Sequence, residues 1–130
     1  MPFDLAGSFV LAAESELCAR LPSAYRSAML RTNGGEVLVD GDAWLRYPIA
    51  DTSDRKRLSR TANHILMETQ ACQEWPRFPA NAVAIASNSA GDQLLLLRQG
   101  SEFGAAVYLW SHQTSSLAKV ANDFAELEAV

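Results

Sequence analysis

Turn-forming residues recur at short intervals along this chain, and their spacing constrains the fold more than any other feature. Asn33-Gly34-Gly35, Gly41-Asp42, Gly91-Asp92 and the loop holding Gly100 and Gly104 separate short apolar segments. A parallel strand pair needs a crossover of a dozen or more residues, whereas an antiparallel pair closes through a tight turn. Connections this short therefore favour antiparallel pairing over repeated right-handed crossovers. With 130 residues, of which 48% are hydrophobic and 20% charged, the chain is sized for one domain spanning residues 1–130. A core of that size needs neither a disulfide nor a metal, and disordered or disulfide-scaffold classes are excluded.

Between the turns, side-chain periodicity assigns the elements. Val10, Ala13, Leu17 and Leu21 recur at helical spacing behind Ser8, which predicts a capped helix over Ser8–Arg20. Pro22 suits the first position of a second helix, because an amide hydrogen there would have no intrahelical partner. Tyr25, Ala28, Met29 and Thr32 share a face of that helix, and Asn33-Gly34-Gly35 stops it with residues that tolerate positive φ. Alternation over Glu36–Asp40, the Gly41-Asp42 turn and a second strand around Trp44–Tyr47 predict a hairpin. Asp54 then caps a long helix with Leu58, Ala62, Ile65, Leu66 and Thr69 inward and Arg55, Lys56, Arg57 and Arg60 outward.

Pro76 and Pro79 bracket a loop carrying Trp75 and Phe78, after which Ala82–Ala86, Gln93–Arg98 and Ala105–Trp110 read as successive strands. Gln93–Arg98 is apolar on both faces and so belongs at the sheet centre. Leu117, Val120, Ala121, Phe124 and Leu127 follow at helical spacing and predict an amphipathic C-terminal helix. The fold class that results is α+β, with short connections that favour antiparallel pairing of the strands.

Eleven Lys and Arg against fifteen Asp and Glu leave a net charge of -4, which argues against broad capture of nucleic acid or of an anionic membrane. No charged n-region precedes an apolar segment, and no apolar run approaches the roughly 20 residues of a membrane span, so a cytoplasmic protein is expected. Cys18 and Cys72, the only cysteines, are then two reduced thiols. The motifs G-x-S-x-G, H-E-x-x-H, the P-loop and G-x-G-x-x-G are all missing. His64 and His112 are the only histidines available for acid–base work.

His64, Glu68 and Cys72 stand four residues apart in turn and would line one helical face near enough to share a cation. A solvated helix face with a buried small thiol explains them better, so no metal and no cofactor are expected. Asp40-Gly41-Asp42 lacks the further ligands of a calcium loop and reads as a hairpin turn. The Arg55–Arg60 cluster has no interleaved aromatic platform and reads as a solvated face. Trp44 and Trp110, both in strands, read as core, while Trp75 in its loop is the surface candidate.

Several segments together resemble a known family. Leu21-Pro22-Ser23-Ala24-Tyr25 followed by Asn33-Gly34-Gly35 is similar to the opening of the SUKH superfamily, the Smi/Knr-like proteins. Phe78-Pro79 ahead of Val83–Ala86, Ala90-Gly91-Asp92, the stretch Val107–Thr114 and Val120–Phe124 agree with later family segments, in order. Leu97 and Gln113 depart from the pattern, each standing where many members carry an acid. The resemblance implies a twisted sheet flanked by helices, no catalysis, and in bacteria an immunity protein that neutralises a cognate toxin, such as a nuclease or deaminase, by binding it. Fungal relatives are scaffolds and regulators, and a general protein-interaction scaffold is the alternative that the resemblance leaves open.

Charge supports the first expectation. Toxins that act on nucleic acid carry basic faces, and an acidic inhibitor is steered toward them. The expected partner-binding residues are Glu36, Asp40, Asp42, Asp51, Glu74 and Glu102, with Trp75 as anchor. A small hydrolase or metal-dependent enzyme using His64 or His112 is the reading from a different class, and the sequence does not specify the oligomeric state.

Overall fold

The computed structural model describes residues 2–129, with side chains described for 2–127. Its strands pair antiparallel with one another among the described residues, as the turn spacing predicts, and a single parallel bridge joins Arg20 to Glu102. Strands β1 (Glu36–Val39) and β2 (Asp42–Arg46) form the first hairpin. Asp40 and Gly41 join them with φ of 51° and 83°, a left-handed pair whose twist matches that of the flanking strands. The register sets Val37 opposite Trp44, so both point into the core, and sets Glu36 opposite Leu45, so both point outward.

The remaining strands are β3 (Ala82–Ser87), β4 (Gln93–Gln99), β5 (Glu102–Phe103), β6 (Val107–Trp110), β7 (Leu117–Ala121) and β8 (Glu128–Ala129). Among the described residues they form one sheet ordered β7-β6-β4-β3-β2-β1-β8, with β5 folded back onto the end of β4. Ala82–Ala86 of β3 and Gln93–Leu96 of β4 are buried on both faces, which places these strands at the centre. At an irregularity in the β3–β4 ladder, the Ala84 N–H donates to Thr69 Oγ1 at 2.8 Å. One sheet face is thereby tied to the helix that carries Thr69.

Helix α1 runs Gly7–Leu17, behind Ala6 rather than a capping Ser8. It stops short of Arg20 because Cys18 turns left-handed, with φ of 56°, and the buried Glu14 carboxylate accepts the Leu21 N–H at 2.6 Å. Helix α2 is Ser23–Arg31, with Pro22 at the N-cap in extended conformation rather than inside the first turn. Tyr25 and Met29 are its buried ridge. Beyond it Asn33 acts as a clamp: its Nδ2 donates to Ile49 O and its Oδ1 accepts from Ile49 N, both at 2.8 Å. Gly34 takes φ of 120°, where a side chain would be strained.

Two expected helices differ. The long helix after Asp54 is two short ones, α3 (Arg55–Arg60) and α4 (Ile65–Cys72), and Leu58 and Ala62 are exposed rather than inward. The break lies at Thr61, whose hydroxyl donates to Arg57 O at 2.9 Å and accepts from Asp51 N at 3.0 Å. His64 then starts α4 afresh, its Nδ1 accepting from Met67 N–H at 3.2 Å.

The expected C-terminal helix is replaced by β7, a 3₁₀ turn at Phe124–Glu126 and β8. Ladder pairing of β6 with β7 satisfies the β6 edge, and Phe124 tucks edge-on against Tyr25 with ring centroids 5.2 Å apart. Leu117, an inward residue of the expected helix, is exposed.

Candidate partner-binding surface

Five of the six expected acidic contacts lie on the surface. Glu36 opens β1, Asp40 and Asp42 flank Gly41 at the hairpin tip, Glu74 follows α4 and Glu102 lies in β5, and all five are exposed. Among the described residues none of them takes part in an ion pair; the acids that do are Asp4, Glu14, Asp51 and Asp54.

Asp51 has to be withdrawn from the set. It is 1% exposed, and its Oδ1 accepts from the Ser53 hydroxyl at 2.6 Å and the Ser53 N–H at 3.0 Å. Its Oδ2 pairs with Arg57 at 3.1 Å, so its charge is consumed inside the fold.

Sheet register shows which of the others share an end of the molecule. Ser87, Gln93 and Trp110 form one cross-strand row, and Leu45 pairs with Ser87, so the Asp40–Asp42 tip projects past that row. Trp75 stacks on Trp110, which brings it and the adjacent Glu74 to the same end. Glu102 pairs with Gln99 at the far end of β4, six residues and roughly 20 Å from Gln93. It does not belong to the same patch.

Trp75 is half-buried and held on several sides. Its ring lies at 11° to that of Trp110 with centroids 5.5 Å apart, and the His112 ring approaches to 4.3 Å. Phe78 meets Trp110 edge-on at 5.2 Å, while the His112 backbone N–H donates to Asp92 Oδ1 at 2.9 Å. A large ring presented from a rigid base loses little conformational entropy on binding, which is the property of an interface anchor. Trp44 and Trp110 are core residues, as their strand positions predict.

Both histidines make structural contacts. His64 uses Nδ1 to cap the start of α4, and His112 packs on Trp75, which follows the other end of that helix. Cys72 is buried, and its burial, together with the nearby Glu68 carboxylate, pushes the thiol pKa up to about 11, away from the thiolate that binds metals. Among the described residues no group of three His, Cys, Asp or Glu side chains could hold a metal ion.

Sequence reasoning missed Arg46. Its neighbour Trp44 points inward, so strand alternation alone places Arg46 inward too, and the structure shows it 7% exposed with no partner on its Nε.

A family model described as the SMI1 / KNR4 family (SUKH-1) matches residues 8–129. No curated protein matches the chain.

Proposed function

This chain belongs to the SMI1 / KNR4 family (SUKH-1), and from that premise we propose that it is a non-catalytic immunity protein which neutralises a cognate toxin by binding it. The observation that carries the reading is the set of exposed carboxylates at Glu36, Asp40, Asp42 and Glu74, none of which forms an ion pair among the described residues. Charges used in folding are paired, as at Asp51; charges kept free on a surface are available to steer a partner. A toxin acting on nucleic acid, such as a nuclease or deaminase, presents the complementary basic face. Asp40, Asp42, Glu74 and Trp75 form the core of the contact, with Trp75 as its aromatic anchor. Binding takes place in the cytoplasm, and neither nucleic acid nor membrane is a partner. Among the described residues no helix is long and apolar enough to cross a membrane.

Affinity purification of the tagged protein from its native host, washed at low and then high salt, tests the reading. The expected result is one polypeptide recovered in stoichiometric amount, released as salt rises, whose expression kills cells unless this protein is co-expressed. Recovery only of signalling or envelope proteins that harm no cell would replace it with a scaffold. His64→Ala and His112→Ala are expected to protect cells as well as the parent chain; loss of protection in a folded variant would favour a catalytic role.

A further inference from the structure

A cavity of about 360 Å³ opens between α2, β1, β2 and the 3₁₀ turn, at the small end of the range of ligand pockets, which begins at roughly 300 Å³. Arg31 and Arg46 supply its charge, Ser27 and Thr32 its hydroxyls, and Val37 and Phe124 an apolar wall; among the described residues no acid lines it. The decisive feature is Arg46. Its backbone N–H is satisfied by Gly35 O at 2.8 Å, but among the described residues its guanidinium forms no ion pair and Nε has no hydrogen-bond partner. Among the described residues its charge is offset only by neutral groups, the Phe124 ring 5.8 Å away and the buried Tyr25 hydroxyl.

A buried cation that no anion offsets is costly, and a bound negative charge would lower that cost. Burial above all lowers the hold of Arg46 on its proton; the Tyr25 hydroxyl opposes this, and the like charge of Arg31 adds to it. An anion entering between the two guanidiniums would relieve both. Guanidinium forks match the two oxygens of a carboxylate, and the apolar wall suits a ligand whose remainder is hydrocarbon rather than sugar or nucleotide.

We propose that this cavity binds a carboxylate carried on a short apolar group. That chemistry is shared by the C-terminal residue of a peptide ending in an aliphatic side chain and by a small branched carboxylic acid. The site is independent of the acidic surface around Trp75 and does not require a toxin partner to exist.

Calorimetric titration of the whole protein with N-acetyl-leucine, N-acetyl-leucinamide, 3-methylbutanoate and inorganic phosphate tests it. N-acetyl-leucine is expected to bind saturably and its amide not to bind. Equal binding of 3-methylbutanoate identifies a free acid as sufficient, whereas selectivity for N-acetyl-leucine identifies a peptide terminus; both support the site. Phosphate binding as tightly as either carboxylate, or no saturable binding of any probe, overturns it. Arg46→Gln is expected to abolish binding. If that variant does not fold, Arg31→Gln decides: Arg31 is exposed at the end of α2, and its loss is expected to weaken N-acetyl-leucine binding about tenfold or more. Unchanged affinity in Arg31→Gln overturns the proposal.

Discussion

At Asp51 one carboxylate joins three segments: it caps the Ser53 turn, pairs with Arg57 of α3, and through Arg57 reaches Asp4 at 3.2 Å near the start of the chain. Burial pulls its pKa upward, but hydrogen bonds from Ser53 and Arg57 outweigh that and hold the carboxylate below its ordinary range. Because the folded pKa is depressed, the stabilisation is fully present above the unfolded value of about 4 and is lost as pH falls through the folded one. Asp51→Asn is therefore expected to cost about 1–3 kcal/mol at pH 7 and to flatten the acid limb of stability against pH, as measured by urea titration at pH 7 and pH 3. The same contrast between buried and free groups separates the cysteines. Cys18 is exposed and Cys72 buried with its thiol pKa near 11, so native iodoacetamide labelling at pH 8 is expected to modify Cys18 and to reach Cys72 only in denaturant. In the sequence Asp51 is one acid among several; what distinguishes it is Thr61 and Arg57, brought against it by the folding of α3.

Helix α2 shows how an element takes its role from what covers it. Tyr25 is completely buried and edge-on to Phe124, so Tyr25→Ala is expected to destabilise by about 3–5 kcal/mol, read as a shift in denaturant midpoint. Its hydroxyl has no hydrogen-bond partner among the described residues, and burial pushes its pKa well up. Tyr25→Phe removes an unsatisfied polar group and is expected to stabilise by about 1 kcal/mol; destabilisation would reveal a partner for that hydroxyl. The Tyr25 and Met29 ridge was legible from helical spacing, as was the Asp40-Gly41 hairpin from its turn dipeptide. The α3–α4 break was not, because Leu58, Ala62, Ile65, Leu66 and Thr69 keep a helical period across it. What interrupts the helix is Thr61, which accepts from Asp51 N ten residues back, Ile65, whose N–H donates to Pro48 O, and His64, which caps the new helix locally at Met67.

Across the whole molecule, the sheet joins chain segments that are distant in sequence: β8, at the end of the described residues, pairs with β1. Neither half of the sheet buries its apolar face alone, so unfolding is expected to be a single cooperative transition. Tryptophan fluorescence, reporting Trp44 in β2 and Trp110 in β6, and circular dichroism should give coincident denaturant curves; separated curves would show two folding units. The sequence by itself determined the local conformations: turn residues set antiparallel pairing, alternation set the inward faces of β1 and β2, and the spread of motifs along the chain marked the family. The tertiary structure alone decided which charges remain free. It buried Asp51, left Glu36, Asp40, Asp42, Glu74 and Glu102 exposed, and enclosed Arg46 beside Arg31. It also made β7, a 3₁₀ turn and β8 of a segment with helical apolar spacing, since apolar periodicity records only that residues are buried. Which surface buries them is set by the open edges of the sheet, β6 on one side and β1 on the other, each of which needs a hydrogen-bonded partner.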